Sequence, residues 1–399
     1  MRETSLVCLL DKEAPPEHSF VDGMLAKVLG REPDLHVYLV VSRPPGAGIE
    51  WERVRRHHDA VCLPVLARRR GMGRITNFVR GALVVRALIR RERSKGRQVV
   101  LFVRNEPTYL LIAAAFKHRC DRLIFQSSFP HEETHPRPLM RWGAKLLYRI
   151  ARSPVDAVLA VSPTGLERVE RLFPAASLGR YIPLMADVPG EAGRRSVTPA
   201  QTTGPEPLRF IYIGDHARSR QFEVVFAALA AAVERGFEGR VEFVGADPGE
   251  LTHIRSLAHV PELESVGVLS FRAKVPRSEV WDLLHSADVG LSLLPRSAMN
   301  RERSPTKLTE YMGAGLAVLA TRGVPLQESF IEESGGGLLV EWSENAIRDG
   351  FLALSKDPSK VRAMKRRAAE YAARELRYES CRGIFRELMG AQLSRPAHT

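Results

Sequence analysis

The stretch Met299–Thr321, MNRERSPTKLTEYMGAGLAVLAT, holds residues whose types and spacing can do chemistry. It follows an apolar run, Asp288–Leu294, and a polar loop from Pro295 to Arg303. Ser304 is a good N-cap and Pro305 suits a first helical turn, so a helix is expected over Pro305–Ala314. It stops in the segment Gly313-Ala314-Gly315. With Ser304 as cap, Lys307 takes the position where a capping box would carry Glu. The N–H groups of that first turn, at the positive end of a helix and beside a lysine, form an anion site. It opens at the C-terminal edge of a sheet, where a diphosphate would lie. Glu302 and Glu310 have seven residues between them. Eight residues of ideal helix span about 12 Å, but Glu302 falls in the loop, so the two carboxylates can flank one ligand. A carboxylate accepting from paired hydroxyls is the usual way to hold a sugar or a ribose.

These residues need a scaffold, and the flanking pattern supplies one. From Leu208 onward apolar strands alternate with helices. Strands are expected at Leu208–Ile213, Val241–Val244, Val266–Phe271, Asp288–Leu294 and Ala317–Ala320. Helices are expected at Phe222–Phe237, from about residue 246 to Leu263, and at Arg277–Ala287. Residues 355–390 also read as helical. The first half alternates too, with strands at Ser5–Leu10, His36–Ser42, Val99–Val103, Leu123–Phe125 and Ala157–Val161. Helical spacing of Phe20, Met24, Leu25, Val28 and Leu29 and an amphipathic run Ile75–Ile89 lie among them. Ser162-Pro163 caps and opens a further helix. Apolar strands alternating with helices predict parallel sheets covered on both faces. A Pro-, Gly- and Thr-rich stretch, residues 186–207, reads as a linker between two such units. The expected division is 1–190 and 205–375, with a C-terminal helix 376–399 returning to the first domain. Two units in tandem place a ligand cleft between them. The triple glycine Gly335–Gly337 precedes a strand and reads as a turn, not a phosphate cradle.

Composition narrows the function classes. The chain of 399 residues is 44% hydrophobic and 26% charged, which excludes wholesale disorder. No apolar run approaches the roughly 20 residues of a spanning helix, and the N-terminus carries charge too early for a secretory signal. A cytoplasmic protein is expected. Cys8, Cys62, Cys120 and Cys381 are far apart and have no metal-ligand spacing, so they read as buried thiols. Residues 1–185 carry 31 Lys and Arg against 18 Asp and Glu, whereas 186–399 carry 28 of each. The whole net charge of +13 therefore lies in the first half, notably at Arg68–Arg70, Arg74 and the run Arg86, Arg90, Arg91, Arg93, Lys95, Arg97. Such a face suits an anionic membrane surface or a phosphorylated ligand. Nucleic acid is not expected, because no aromatics interleave the arginines.

The segment SPTKLTEYMGAGLAVLAT resembles the donor-binding segment of the retaining glycosyltransferases of family 4, which have the GT-B fold. The glutamate pair with seven residues between is a signature of that family. The likeness covers most of residues 208–375. FIYIGDHARSRQ is similar to the family's first C-domain strand and glycine loop, and VEFVGADPG to the second strand. VGVLSFRAKVPRSEVWDLLHSADVGLSLLP resembles the strand, helix and strand before the signature, and ESGGGLLVEWSE the later turn and strand. In the first half the likeness is weaker, resting on VVLFVRNEPTYLL, IFQSSFPHEE and DAVLAVSPTGLERV.

The resemblance implies an α/β protein with two Rossmann-like parallel-sheet domains facing a central cleft. It implies a glycosyltransferase (EC 2.4) that moves sugar from a nucleotide sugar to a hydroxyl of a glycan or lipid-linked acceptor, with retention, in polysaccharide or glycolipid synthesis. Glu310 would hydrogen-bond the donor's ribose and Glu302 the donor sugar's hydroxyls. Gly214 and the backbone at Ser304, Pro305, Thr306 and Lys307 would face the diphosphate, with Arg220 at the phosphate-binding position. His131 would face the donor sugar. Two departures stand out. Asp215 occupies the place where the family often has Arg, with Arg218 as its expected substitute. The first loop, Lys12–His18, lacks the usual paired glycines. No Asp-x-Asp pair is present, so Arg220, Lys307 and the helix N-terminus are expected to stabilise the leaving diphosphate without a metal. No cofactor is expected beyond the donor itself. The acceptor is expected on the first domain, in a protein peripheral to the cytoplasmic face of a membrane. The competing readings are a nucleotide-sugar epimerase or phosphorylase on the same fold, and a non-catalytic nucleotide-sugar-binding relative.

Overall fold

The computed structural model describes residues 3–14, 18–42, 55–66, 73–134, 137–186 and 207–390. The Arg68–Arg70 cluster, most of the 186–207 linker and part of the first loop lie outside the described residues. The chain divides into two compact units, Met1–Leu184 with Glu302–Ser304 and Tyr378–Thr399, and Met185–Arg301 with Pro305–Arg377.

The first unit is built on an eight-stranded sheet, β1 (Thr4–Glu13), β2 (Leu35–Ser42), β3 (Arg55–His57), β4 (Ala60–Leu66), β5 (Gln98–Arg104), β6 (Arg122–Ser127), β7 (Ala157–Ala160) and β8 (Leu178–Tyr181). Its order is β3-β4-β2-β1-β5-β6-β7-β8. Every pair is parallel except the edge hairpin β3–β4. The helical spacing from Phe20 to Leu29 becomes a π-helix. Then follow α1 (Gly73–Ser94), α2 (Pro107–Ala115), α3 (His131–Thr134), α4 (Pro138–Ala151) and α5 (Pro163–Leu172). Ser162 caps α5, accepting from the Gly165 N–H at 3.0 Å, with Pro163 in its first turn. Val7, Leu9, Leu101, Val103, Phe125 and Val158 form the centre of the core.

The second unit carries a six-stranded, wholly parallel sheet of β9 (Leu208–Ile213), β10 (Gly239–Ala246), β11 (Leu269–Ala273), β12 (Val289–Ser292), β13 (Ala317–Thr321) and β14 (Gly337–Val340). Its order is β11-β10-β9-β12-β13-β14. Helices α6 (Phe222–Val233), α7 (Pro248–Arg255), α8 (Val260–Ser265), α9 (Arg277–His285), α10 (Ala298–Arg301), α11 (Thr306–Gly313), α12 (Pro325–Ser334), α13 (Glu344–Ser355) and α14 (Pro358–Glu375) surround it. The central strands are packed on both faces. Phe210 and Tyr212 of β9 pack with Phe222, Phe226, Phe243 and Phe351. Ile211, between them, packs on the other face with Leu308, Tyr311, Met312 and Phe330. Strands buried on both faces lose the polar–apolar alternation of a half-exposed strand, which is why they read as continuous apolar runs. The glycine run ends α12 at Gly335 (φ 58°) and enters β14 at Gly337.

Beyond Arg377 the chain returns to the first unit. Tyr378 and Phe385, the latter on α15 (Arg382–Leu388), flank Phe20 with ring centroids 6.0 and 6.4 Å away. Arg180 pairs with Glu387 at 2.6 Å and Arg386 with Glu32 at 2.7 Å. Part of the basic run over residues 86–97 is neutralised internally. Arg97, Arg91 and Lys95 all bond the fully buried Glu92, which also accepts from Ser5. Among the described residues no helix is long and apolar enough to cross a membrane.

Candidate functional site

In the second unit a cluster of charges gathers where β9 ends. Gly214 closes that strand at φ 147°, its N–H donating to the Val244 carbonyl at 2.9 Å. A Cβ on Gly214 would collide with the Cε and Nζ of Lys307. The missing side chain therefore has a use. Lys307 starts from α11, whose apolar side chains pack on the Ile211 face, and reaches Tyr212, which belongs to the opposite face. It passes over the strand end where no Cβ stands in its way. Its ammonium donates to the Tyr212 hydroxyl at 2.6 Å and lies 4.3 Å from the ring centroid. The hydroxyl's own proton goes to the Asp215 carbonyl at 2.7 Å, so a lone pair is turned toward Lys307.

Asp215 stands within this group of cations. Arg220 holds its carboxylate with two bonds, 3.0 and 2.6 Å, and the Lys307 ammonium is 3.9 Å away. Burial pushes the Asp215 carboxyl up, but the Arg220 hydrogen bonds and Lys307 outweigh burial and hold it well below the usual carboxylate range. Arg218 begins the same tight turn as Arg220 and is exposed. His216, which follows Asp215, is buried against Tyr212, Phe222 and Phe243, at centroid distances of 5.3 to 5.8 Å. Burial pushes the pKa of its ring down, against the Gly214 backbone and the charge of Glu250.

Helix α11 begins one residue later than the spacing predicts. Pro305 is its N-cap, no side chain caps it, and Lys307 is its second helical residue. Ser304 is not the cap. It is buried in the first unit, where its hydroxyl accepts from the Leu184 N–H at 2.8 Å. A backbone bond to another segment thus takes the oxygen that local sequence offers to the helix. The uncapped positive end still favours an anion. Glu310 lies one turn past Lys307 and is half-buried. Burial pushes its carboxyl up, against Arg277 and Lys307. Tyr311 pins the helix: its hydroxyl accepts from the Ile213 N–H at 3.0 Å, and its ring fills the space that a Cβ on Gly290 would take.

Glu302 belongs to a different cluster, within the first unit. Arg168 donates to Glu302 at 2.7 Å, to Glu132 at 2.5 Å and to the Ser127 hydroxyl at 2.8 Å. The Ser162 hydroxyl donates to the Glu302 carbonyl at 2.7 Å. Glu132 is buried, and its second oxygen has no hydrogen-bond partner. Burial pushes its carboxyl up, with Arg168 pulling the other way. His131 heads α3, next to Glu132, and its side chain lies outside the described residues.

The structure therefore brings Gly214, Arg220, Lys307 and the start of α11 together in the second unit, with Arg218 in the same turn and Glu310 one turn along. Glu302 and Ser304 are held in the first. Sequence reasoning passes over Tyr212, Arg168, Glu132 and His216. The first sits in a core strand and the others look like ordinary helix or loop residues, so only contact reveals them.

Residues 207–357 match the family model described as glycosyl transferases group 1. A search of curated protein sequences returns no match. Solved structures resemble the whole chain at low identity. The sucrose-phosphate synthase of Thermosynechococcus elongatus is 16% identical, with a TM-score of 0.68, covering 98% of this chain and 100% of its own. HepE of Anabaena, in complex with UDP, is 14% identical, with a TM-score of 0.64, over 97% and 99%. The alpha,alpha-trehalose-phosphate synthase (UDP-forming) of Burkholderia xenovorans, in complex with glucose-6-phosphate, is 16% identical, with a TM-score of 0.64, over 97% and 100%. Two parallel-sheet units with this overall likeness have the GT-B fold, and residues 207–357, which carry the Lys307 cluster and Glu310, match the glycosyl transferases group 1.

Proposed function

We propose that the protein is a retaining glycosyltransferase that moves a sugar from a nucleotide sugar to a hydroxyl of a glycan or lipid-linked acceptor. The observation that carries this reading is the convergence of Lys307, Arg220 and an uncapped helix start on the glycine end of β9. Departure of a nucleoside diphosphate leaves negative charge on phosphate. Fixed cations and backbone N–H groups stabilise that charge in the transition state more than in the ground state. The UDP bound by the Anabaena neighbour makes a nucleoside diphosphate the first ligand to test.

In this reading Gly214, Thr306 and the Pro305 turn border the diphosphate, and Arg218 reaches it from the exposed side. Glu310 accepts from the ribose hydroxyls. Glu302 accepts from sugar hydroxyls with the oxygen that Arg168 does not hold, and Ser304 fixes the backbone beside it. His131 is the proposed first-unit contact for the donor sugar. Arg220 and Lys307 do the electrostatic work of a divalent cation, so transfer is independent of metal. The excess positive charge of the first half supports a protein peripheral to an anionic membrane, where a lipid-linked acceptor resides. Exposed Arg80, Arg86 and Arg90 on α1 contribute to that charge.

The test is donor hydrolysis across a panel of UDP-, GDP- and ADP-sugars in excess EDTA, beside Glu310→Ala. Turnover of one donor that survives EDTA and is lost in the variant supports the reading. Nucleotide binding without turnover of any donor favours the non-catalytic relative, a reading that Asp215 at the cations makes specific. Absence of both turnover and nucleotide binding refutes the donor site.

A further inference from the structure

Helix α4 turns an apolar stripe outward. Its sequence is PLMRWGAKLLYRIA, and its inner face is set by Tyr148 and Ala151, both buried. The Tyr148 ring packs edge-on against Phe125 and Phe173, at 5.5 and 5.8 Å. Leu139, Trp142, Leu146 and Ile150 recur at intervals of three and four along another face, and all are exposed, Leu139 to 76% and Trp142 to 64%. A single exposed leucine is ordinary, whereas four large apolar side chains on one helix face form a patch that a folded protein rarely leaves to water.

The rest of the helix is cationic. Arg141, Lys145 and Arg149 lie within it and Arg137 and Arg152 at its ends, with no Asp or Glu from 137 to 152. Helix α1 packs on α2, as α4 does, and it too exposes apolar residues, Phe78, Val79 and Leu83, among exposed Arg80, Arg86 and Arg90. Two helices that both pack on α2 thus combine bare apolar side chains with positive charge. An anionic bilayer surface offers the matching pair, acyl chains for the stripe and negative headgroups for the cations, with tryptophan at the depth between them. A second copy of the same face would bring Lys145 and Arg149 against their own like charges.

We propose that the Leu139–Trp142–Leu146–Ile150 stripe of α4 docks the protein on an anionic membrane by inserting into its surface. This deepens the peripheral-membrane part of the proposed function and does not depend on glycosyl transfer. It differs from attraction by charge alone, because it requires α4 to enter the acyl region.

The experiment is flotation of the full chain with phosphatidylcholine vesicles, with and without phosphatidylglycerol, at low and high salt. The protein is wild type, Trp142→Ser/Leu146→Ser or Lys145→Gln/Arg149→Gln. These side chains are exposed, and thermal unfolding checks that each variant folds. Wild type is expected to float with the anionic vesicles, and the stripe variant to lose affinity by roughly tenfold or more. Lipids brominated on their acyl chains are expected to quench wild-type tryptophan fluorescence and to spare the stripe variant. The Lys145/Arg149 variant is expected to bind more weakly with a shallower salt dependence. Unchanged flotation of the stripe variant, with no quenching in wild type, overturns insertion and leaves the electrostatic reading standing. No flotation of wild type with either vesicle overturns both, and donor hydrolysis is then still judged by its own assay. A wild-type dimer in sedimentation that the stripe variant breaks, without flotation, assigns the face to a second copy and overturns the proposal.

Discussion

Replacing Asp215 by asparagine removes one negative charge from a group of cations while keeping the shape of the side chain. In the structure this carboxylate is bonded twice by Arg220 and lies 3.9 Å from the Lys307 ammonium. It thus occupies the place of an anion on the very groups proposed to receive the diphosphate. Two unit charges at that separation interact by about 1 kcal/mol in water and about 4 kcal/mol at an effective dielectric of 20. The Asp215 side chain is 52% exposed, so the lower figure applies, at about 1 kcal/mol for each cation. A diphosphate must outcompete that carboxylate and tolerate its charge. Asp215→Asn is therefore expected to tighten nucleoside diphosphate binding by about 1–2 kcal/mol, roughly five- to thirtyfold. The same change is expected to cost the fold only about 0.5–1 kcal/mol, because the broken pair is half exposed. The assay is calorimetric titration with UDP, GDP and ADP at low and high salt, and the gain is expected to shrink as salt rises. Because the carboxyl is held below its ordinary value of 3.8, it stays charged throughout the neutral range. The difference between variant and wild type is therefore expected to be flat from about pH 5 to 8. Weaker binding by the variant would refute this reasoning and make Asp215 a support that holds Arg220 in position. Equal binding would mean that the diphosphate does not use these cations.

Other expectations follow from the same contacts. Tyr212→Phe keeps the ring under Lys307 but removes the hydroxyl that fixes it, so nucleotide binding is expected to weaken by roughly three- to tenfold, read by calorimetry, with little change in thermal stability. Gly214→Ala puts a methyl group where the Lys307 ammonium lies; nucleotide affinity is expected to fall to the level of Lys307→Ala, and an unchanged affinity would refute the packing argument. Burial pushes the Glu310 carboxyl up, which means that its ionised form is disfavoured in the fold. Glu310→Gln is therefore expected to raise the unfolding temperature near neutral pH while lowering nucleotide affinity, and a lower unfolding temperature would refute it. Glu92 is the opposite case. Burial pushes its carboxyl up, but Arg97, Arg91, Lys95 and Ser5 bring it down to about 2 from an ordinary 4.5. Its stabilisation is full above the ordinary value and is lost as pH falls from 4.5 toward 2. Glu92→Gln is expected to cost roughly 2–3 kcal/mol at neutral pH, with the gap to wild type closing in that acid window in urea titrations.

Much of the second unit was legible in the sequence because its signals are local. A strand packed on both faces is mostly apolar along its centre, so β9, β10, β12 and β13 announce themselves as short runs near their true bounds, even with Arg209 in β9 and Arg240 and Glu242 in β10. The helix after Ser304-Pro305 follows from proline and from apolar spacing, and its Lys307 and Glu310 are one turn apart by helix geometry alone. The less legible elements were those whose stability comes from elsewhere. Strand β4 carries a proline in its run, and β8 is short and polar. Helix α4 turns Leu139, Trp142, Leu146 and Ile150 to solvent, so the helical spacing of those residues does not mark the face that packs on the core.

Sequence by itself determined the α/β alternation, the glycine at the end of β9 and the presence of a lysine and a glutamate on one short helix. Residue type and spacing decide those features within one element. The tertiary structure decided what each side chain does. Ser304 bonds Leu184 instead of capping α11, because a backbone donor from a distant segment reaches it. Lys307 crosses the strand end onto Tyr212, because Gly214 leaves the way open. Asp215 gathers Arg220, and Arg168 joins Glu132 to Glu302, because side-chain charges pair with whatever the fold brings within a few ångströms. Such pairings depend on distances between segments far apart in the chain, and no periodicity within a segment records them.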